Sequence, residues 1–177
     1  MLEVKALLFD VFGTVVDWRT GIAIEVQMIA KKYNIELNAD DFADAWRAEY
    51  QPAMEQIRSG KRSFTILDIL HLENLKKIAP RFNLNNLSNA DLNFLVTAWH
   101  RLPGWPDSSQ GLNKLKKKFI LATQSNGNIA LMVNMAKYSN LSWDVILGAE
   151  VLGHYKPEPE AYILSLIHIS EPTRPNN

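Results

Sequence analysis

The chain has 177 residues, 47% of them apolar and 21% charged, which suits one globular domain, or a core carrying a modest insertion. Nineteen Lys and Arg balance nineteen Asp and Glu, so no basic field points to a nucleic-acid partner, and Lys116-Lys117-Lys118 reads as a solvated helix end. The chain contains no cysteine, which excludes disulfides, thiolate metal sites and cysteine nucleophiles together and fits a reducing cytoplasm. No secretory signal or apolar membrane span is read in the sequence, so a cytoplasmic location without membrane association is expected.

Val4 to Phe9 is a compact apolar run bounded by Asp10 and Gly13, which predicts a buried parallel strand covered on both faces. Phe119 to Thr123 is a second such run, closed by Ser125-Asn126-Gly127. Asp144 to Leu147 is a shorter third. Helical spacing follows from Ile129 to Lys137, and again from Pro157 onward. Strands alternating with helices predict an α/β fold, an open parallel sheet with right-handed crossovers.

Between the first two strands lie about a hundred residues with no strand signal. Phe42, Ala45, Trp46, Glu49, Ala53 and Ile57 repeat at helical spacing after a cap at Asn38 or Asp40. Pro52 is expected to kink that helix. Ile66, Ile69, Leu70 and Leu75, then Leu92, Leu95, Val96 and Trp99, continue the pattern, and Leu102-Pro103-Gly104-Trp105-Pro106 punctuates the return. The expected organisation is a core formed by residues 1–17 and 101–163, with residues 18–100 as an inserted helical cap. Ligands of such sheets bind beyond the carboxyl ends of the strands. Asp10, Ser125 and Lys156 fall at or shortly after strand ends and should converge beneath the cap.

An Asp after an apolar strand is usually a turn residue. Gly13 and Thr14 just past it, and Ser125-Asn126-Gly127 and Lys156-Pro157 in the same order along the chain, give it a different meaning. Asp10-Val11-Phe12-Gly13-Thr14, Ser125 and Lys156 resemble the first three motifs of the haloacid dehalogenase superfamily. Phe9 to Arg19, Ala122 to Asn128 and Tyr155 to Tyr162 are similar to one branch, the type II 2-haloacid dehalogenases. The resemblance extends from the start to about Ile163. It implies a Rossmannoid sheet core with an inserted cap, and hydrolysis of short 2-haloalkanoic acids to 2-hydroxy acids through an aspartyl ester.

In that resemblance Asp10 is the nucleophile. Lys156 keeps it ionised by an opposite charge close by, and otherwise reads as a surface lysine before a Pro-started helix. Ser125, with the amides after it, holds the substrate carboxylate. Thr14 supports Asp10 and the same anion. Arg47 matches the cap arginine that receives the halide, with Asn126 assisting, but an exposed helix arginine reads equally well. Tyr162 matches an active-site tyrosine and could equally be core. Phe12 and Trp18 are candidates to line an apolar pocket.

Position twelve separates the subclasses. Phosphatases of the superfamily carry a second Asp there as general acid, whereas Phe12 cannot donate a proton. A halide leaves without one, so Phe12 argues for carbon–halogen cleavage and removes a reason to expect magnesium. No metal or cofactor is expected. His71, His100, His154 and His168 form no ligand spacing. Trp46, Trp99, Trp105 and Trp143 read as packing residues. The alternatives are a phosphatase with an unusual first motif and a non-catalytic fragment or pseudoenzyme. Homodimer formation through the cap is a family trait on which no residue pattern here reads.

One departure stands against the resemblance. The family continues past Tyr162 into a strand bearing a fourth motif, and nothing here matches it. Residues from Leu164 to Asn177 instead resemble a translated sequencing-adapter tail. On that reading the core is truncated, with an open sheet edge beside the site, and the chain is expected to be destabilised and at best feebly active.

Overall fold

A computed structural model describes residues 4–170. Residues 171–177, part of the segment expected to be foreign, lie outside the described residues.

Strand β1 (Ala6–Phe9) pairs in parallel with β2 (Ile120–Thr123), Leu8 opposite Ala122. Bonds from Ile120 N–H to the Lys5 carbonyl and from Gln124 N–H to the Phe9 carbonyl close the ladder at both ends. The third apolar run does lie along the far side of β2, but through single bridges at Ala122–Val145 and Ser125–Gly148 rather than a continuous strand. The Thr123 side chain explains the interruption. Its Oγ1 donates to the Leu147 carbonyl at 2.7 Å and accepts from the Leu147 N–H at 2.9 Å, replacing ladder bonds. Among the described residues β1 pairs with β2 alone, and it is half-buried along its length rather than covered on both faces.

The inserted stretch is helical. Helix α1 (Trp18–Lys32) begins where Asp17 accepts from the Thr20 N–H, and ends on Lys31 and Lys32, which suit the negative end of the helix dipole. Helix α2 (Ala39–Ala48) is capped by Asn38, whose Oδ1 accepts from the Asp40 and Asp41 N–H groups. The disruption expected from Pro52 is a break at Glu49, after which α3 (Tyr50–Arg58) starts afresh. Pro52 then sits in the first turn of α3, where a missing N–H costs nothing. Helices α4 (Leu67–Ile78) and α5 (Asn89–Val96) follow, and a 3-10 turn at Thr97–Arg101 leads back to the sheet. At the start of α5, Asp91 accepts from Lys32 Nζ, Tyr33 Oη and Ser88 Oγ, which together hold its carboxyl well below the usual range.

The two connections into and out of this stretch run side by side. Val16 bridges Gly104 in antiparallel fashion, Asp17 N–H donates to the Pro103 carbonyl, and Trp105 N–H donates to that of Val15. Gly21 lets α1 approach this point, since a Cβ there would lie 2.8 Å from Pro103 Cδ and 2.9 Å from Leu102 Cδ2. The remaining elements are α6 (Ser108–Leu115), α7 (Ile129–Tyr138), the short α8 (Ala149–Leu152) and α9 (Pro159–Ser170). Helix α9 runs on through the start of the segment expected to be foreign, and Ser165 within it is fully buried. None of the helices is long and apolar enough to cross a membrane.

One apolar cluster runs from Leu121 and Met135 beside the sheet to Phe42, Trp46 and Trp99 in the inserted helices. At its centre His71 stacks on Trp99, ring centroids 4.4 Å apart, with no partner for Nδ1 among the described residues. Burial pushes the His71 imidazole down to about 3, against the pull of Asp68 and with Arg47 and His100 adding to the shift. In the unfolded chain it titrates near 6.5. Stability is therefore full above that pH. As the pH falls from 6.5 towards 3, the unfolded chain takes up a proton that the folded chain refuses, at a cost of roughly 1.4 kcal/mol per pH unit. Urea unfolding should show about 2 kcal/mol less stability at pH 5 than at pH 7.5 from this group. His71→Phe should remove that share of the slope, and an unchanged slope would contradict the assignment.

Candidate active site

Asp10 follows β1 directly, at the carboxyl end of the sheet. Its carboxylate takes one donor on each oxygen. Lys156 Nζ is 2.7 Å from Oδ1, and Thr14 Oγ1 donates to Oδ2 at 2.8 Å. The turn that allows this uses Gly13 at φ +90°, a conformation that favours glycine, with Val15 and Val16 N–H both donating to the Val11 carbonyl. The Asp10 side chain keeps 48% of its surface exposed, against 18% for Lys156. The nucleophile candidate is therefore accessible, while its cation is tucked behind it.

The accessible side of Asp10 opens on a cavity of about 310 Å³. Phe12, Arg47, Tyr50, Gln51, Asn126, Lys156, Pro157 and Tyr162 complete its lining. Asp10 is the one carboxylate among these residues. Six of the nine positions expected from the sequence thus meet at one cavity, and Trp18 is not among its lining residues. Thr14 reaches it through its bond to Asp10. Ser125 does not line it either: it is buried and turned into its own loop, where Oγ accepts from the Gly127 N–H at 3.1 Å. The backbone around it is tightly held, since a Cβ at Gly148 would lie 2.1 Å from the Gly127 carbonyl oxygen.

Arg47 reaches in from α2. Its guanidinium lies over the Tyr50 ring, 3.8 Å from the centroid, and 5.6 Å from that of Trp18. Among the described residues no carboxylate pairs with it. Its aromatic bed, rather than an ion pair, fixes its place. Trp18 stands behind the cavity, stacked on Trp99, and Phe12 meets Trp99 edge-on with centroids 6.1 Å apart. Tyr162 resolves towards the site: it lines the cavity from α9 and remains 44% exposed, so it is not a core residue.

Asn126 is buried and fully engaged. Its Nδ2 donates to Tyr50 Oη at 2.9 Å, and its Oδ1 accepts from the Lys156 N–H at 2.7 Å. Tyr50 and Gln51 were not anticipated from the sequence. Tyr50 stands three residues after Arg47, and that spacing is the signal available for it. Burial pushes the Tyr50 hydroxyl up, against the opposing effect of Arg47 and Asn126, so it stays neutral and hydrogen-bonded.

A second polar group ties the inserted helices to the loop after β2. Asp68, at the start of α4, accepts from Asn128 Nδ2 at 2.9 Å and meets His100 Nε2 at 3.0 Å. Burial raises its pKa, but these bonds prevail and leave it lower than an ordinary carboxyl.

The sequence profile of the haloacid dehalogenase-like hydrolases matches residues 4–171. Among solved structures, a defluorinating L-2-haloacid dehalogenase superposes with a TM-score of 0.92 at 46% identity, over 94% of this chain and 69% of that one. Another L-2-haloacid dehalogenase gives 0.90 at 39% identity, over 97% and 73%. A curated relative, (S)-2-haloacid dehalogenase 4A of Burkholderia cepacia, is 27% identical over 90% of this chain and 67% of its own length. The chain belongs to the haloacid dehalogenase-like hydrolases, in their L-2-haloacid dehalogenase branch.

Proposed function

We propose that the protein hydrolyses short 2-haloalkanoic acids to 2-hydroxy acids, with residues 18–100 acting as a cap over a core of residues 1–17 and 101–163. The observation that carries this reading is a lone carboxylate, Asp10, facing a cavity in which Phe12 occupies the place of a general acid. A leaving group that needs a proton would find none from that position. A halide needs only a place for its negative charge, and Arg47 offers one on the cap side.

An Asp10 oxygen attacks the α-carbon from the face opposite the halogen. The C–O bond forms as the carbon–halogen bond breaks, and the halide leaves with the electron pair. Water then attacks the Asp10 carbonyl carbon of the ester. The 2-hydroxy acid departs with inverted configuration, Asp10 is restored, and one proton is released with the halide. Lys156 and Thr14 each donate to one oxygen of Asp10 and so orient the nucleophile. Ser125 acts through its loop, which presents the amides that follow it to the substrate carboxylate. Tyr162 and Phe12 form the apolar wall around the alkyl group. The lack of cysteine supports a cytoplasmic setting for the reaction.

The test is chloride release from each enantiomer of 2-chloropropionate, beside a phosphate ester supplied with magnesium. The reading predicts chloride from the L enantiomer and no phosphate. Phosphate release without chloride would replace it with the phosphatase alternative.

A further inference from the structure

We propose that Arg58, which lies outside the cavity, is a positioning residue for Lys156 and links the cap to the nucleophile. This rests on the function proposed above for its effect on turnover, but not for the geometry it fixes.

Lys156 is held by its backbone on both sides. Its N–H donates to Asn126 Oδ1, and its carbonyl accepts from Arg58 Nη1 at 3.2 Å. Arg58 comes from the end of α3, 98 residues away in sequence, and its side chain is only 15% exposed. The rest of its guanidinium is oriented within α3. Glu55 Oε2 accepts from Nε at 3.0 Å and from Nη2 at 2.8 Å, and Gln51 Oε1 accepts from Nη2 at 3.4 Å. One planar fork thus has two nitrogens held on its own helix and a third aimed at the Lys156 carbonyl. A lysine backbone pinned at both N–H and C=O fixes the point from which the side chain sets out, and from there Nζ meets the Asp10 oxygen at 2.7 Å.

The neighbouring residue is gripped from the same side. Tyr155 is buried, stacks on Phe64 and donates its hydroxyl to the Thr65 carbonyl at 2.7 Å. Tyr50, Met54, Leu67, Leu70, Ala149 and Tyr155 form an apolar cluster of their own, separate from the main core. This contact gives α3 a fixed seat against the Lys156 loop. Arg58 adds direction to it, a hydrogen bond from a charged donor to one chosen carbonyl.

The experiment reads Lys156 directly. The full chain is acetylated with an N-hydroxysuccinimide ester, and the rate at each lysine is followed by mass spectrometry. Arg58→Met and Arg58→Gln should each raise the Lys156 rate by about fivefold or more, as its pairing with Asp10 loosens. The exposed Lys117 and Lys137 should not change, and Arg58→Lys should stay within about twofold of the parent at Lys156. Should Arg58→Met raise all lysines alike through unfolding, the Gln variant decides. A Lys156 rate unchanged in a folded Arg58→Met or Arg58→Gln protein overturns the proposal. Chloride release measured in parallel should show a loss of kcat of about tenfold with KM little altered. If the parent releases no chloride, the dehalogenase reading fails, while the labelling still decides the role of Arg58.

Discussion

Asp10→Asn is expected to abolish chloride release, with turnover falling by roughly 10⁴-fold or more. The substituted amide matches the carboxylate in shape and can still accept from Thr14, so substrate access is preserved. What it lacks is a charged oxygen able to form an ester. The cavity lining holds no second carboxylate that could take over. Removing the charge also leaves Lys156 without its partner, but that pair is half exposed at Asp10, so little stability should be lost. Ion chromatography of chloride, with thermal unfolding on the same samples, separates the two effects. An Asn variant that stayed folded and kept a tenth of the parent rate would remove Asp10 from the role of nucleophile.

The largest expected effect on stability lies at Trp46. It is 1% exposed, meets Phe42, His71 and Trp99 edge-on, and donates its indole N–H to the His71 carbonyl at 3.1 Å. Trp46→Ala opens a large cavity at the junction of α2 and α4 and leaves that carbonyl without its donor. A loss of about 3–5 kcal/mol is expected. Against a total stability of roughly 5–15 kcal/mol, that brings the chain close to unfolding. Trp46→Phe keeps much of the contact and should cost less than half as much. Urea titration of the two variants checks the order, and a loss below about 1 kcal/mol for Trp46→Ala would contradict the packing described. Arg47 is the next residue, so activity in Trp46→Ala should fall with the folded fraction or faster.

What could be read in the sequence was what local strings carry. Asp10, Thr14 and Lys156 stand in short motifs at strand ends, and the three meet as expected. The helical insertion was legible from its periodicity, and Pro52 marked the interruption even though the break falls at Glu49. Residues that act at a distance were not legible. Arg58 reads in sequence as one more charged residue at a helix end, because its partner is a backbone carbonyl far along the chain. For Tyr50 the one signal was its spacing of three residues from Arg47, across the break at Glu49. The bond that Ser125 Oγ accepts from the Gly127 N–H was not legible either, a demand of the tight loop that motif spacing does not express. The third strand was foreseen as a run of apolar residues. That a threonine hydroxyl would take the place of part of its ladder was not.

The central claim is that Asp10 is alkylated and that water attacks the resulting ester at the aspartyl carbonyl. Single turnover in ¹⁸O-water, with the protein in excess over L-2-chloropropionate, tests it most directly. If the claim holds, ¹⁸O appears in the Asp10 side chain and the first lactate formed carries ordinary oxygen from the protein. If ¹⁸O appears in the lactate and none in Asp10, water attacks the substrate directly and the covalent account is wrong.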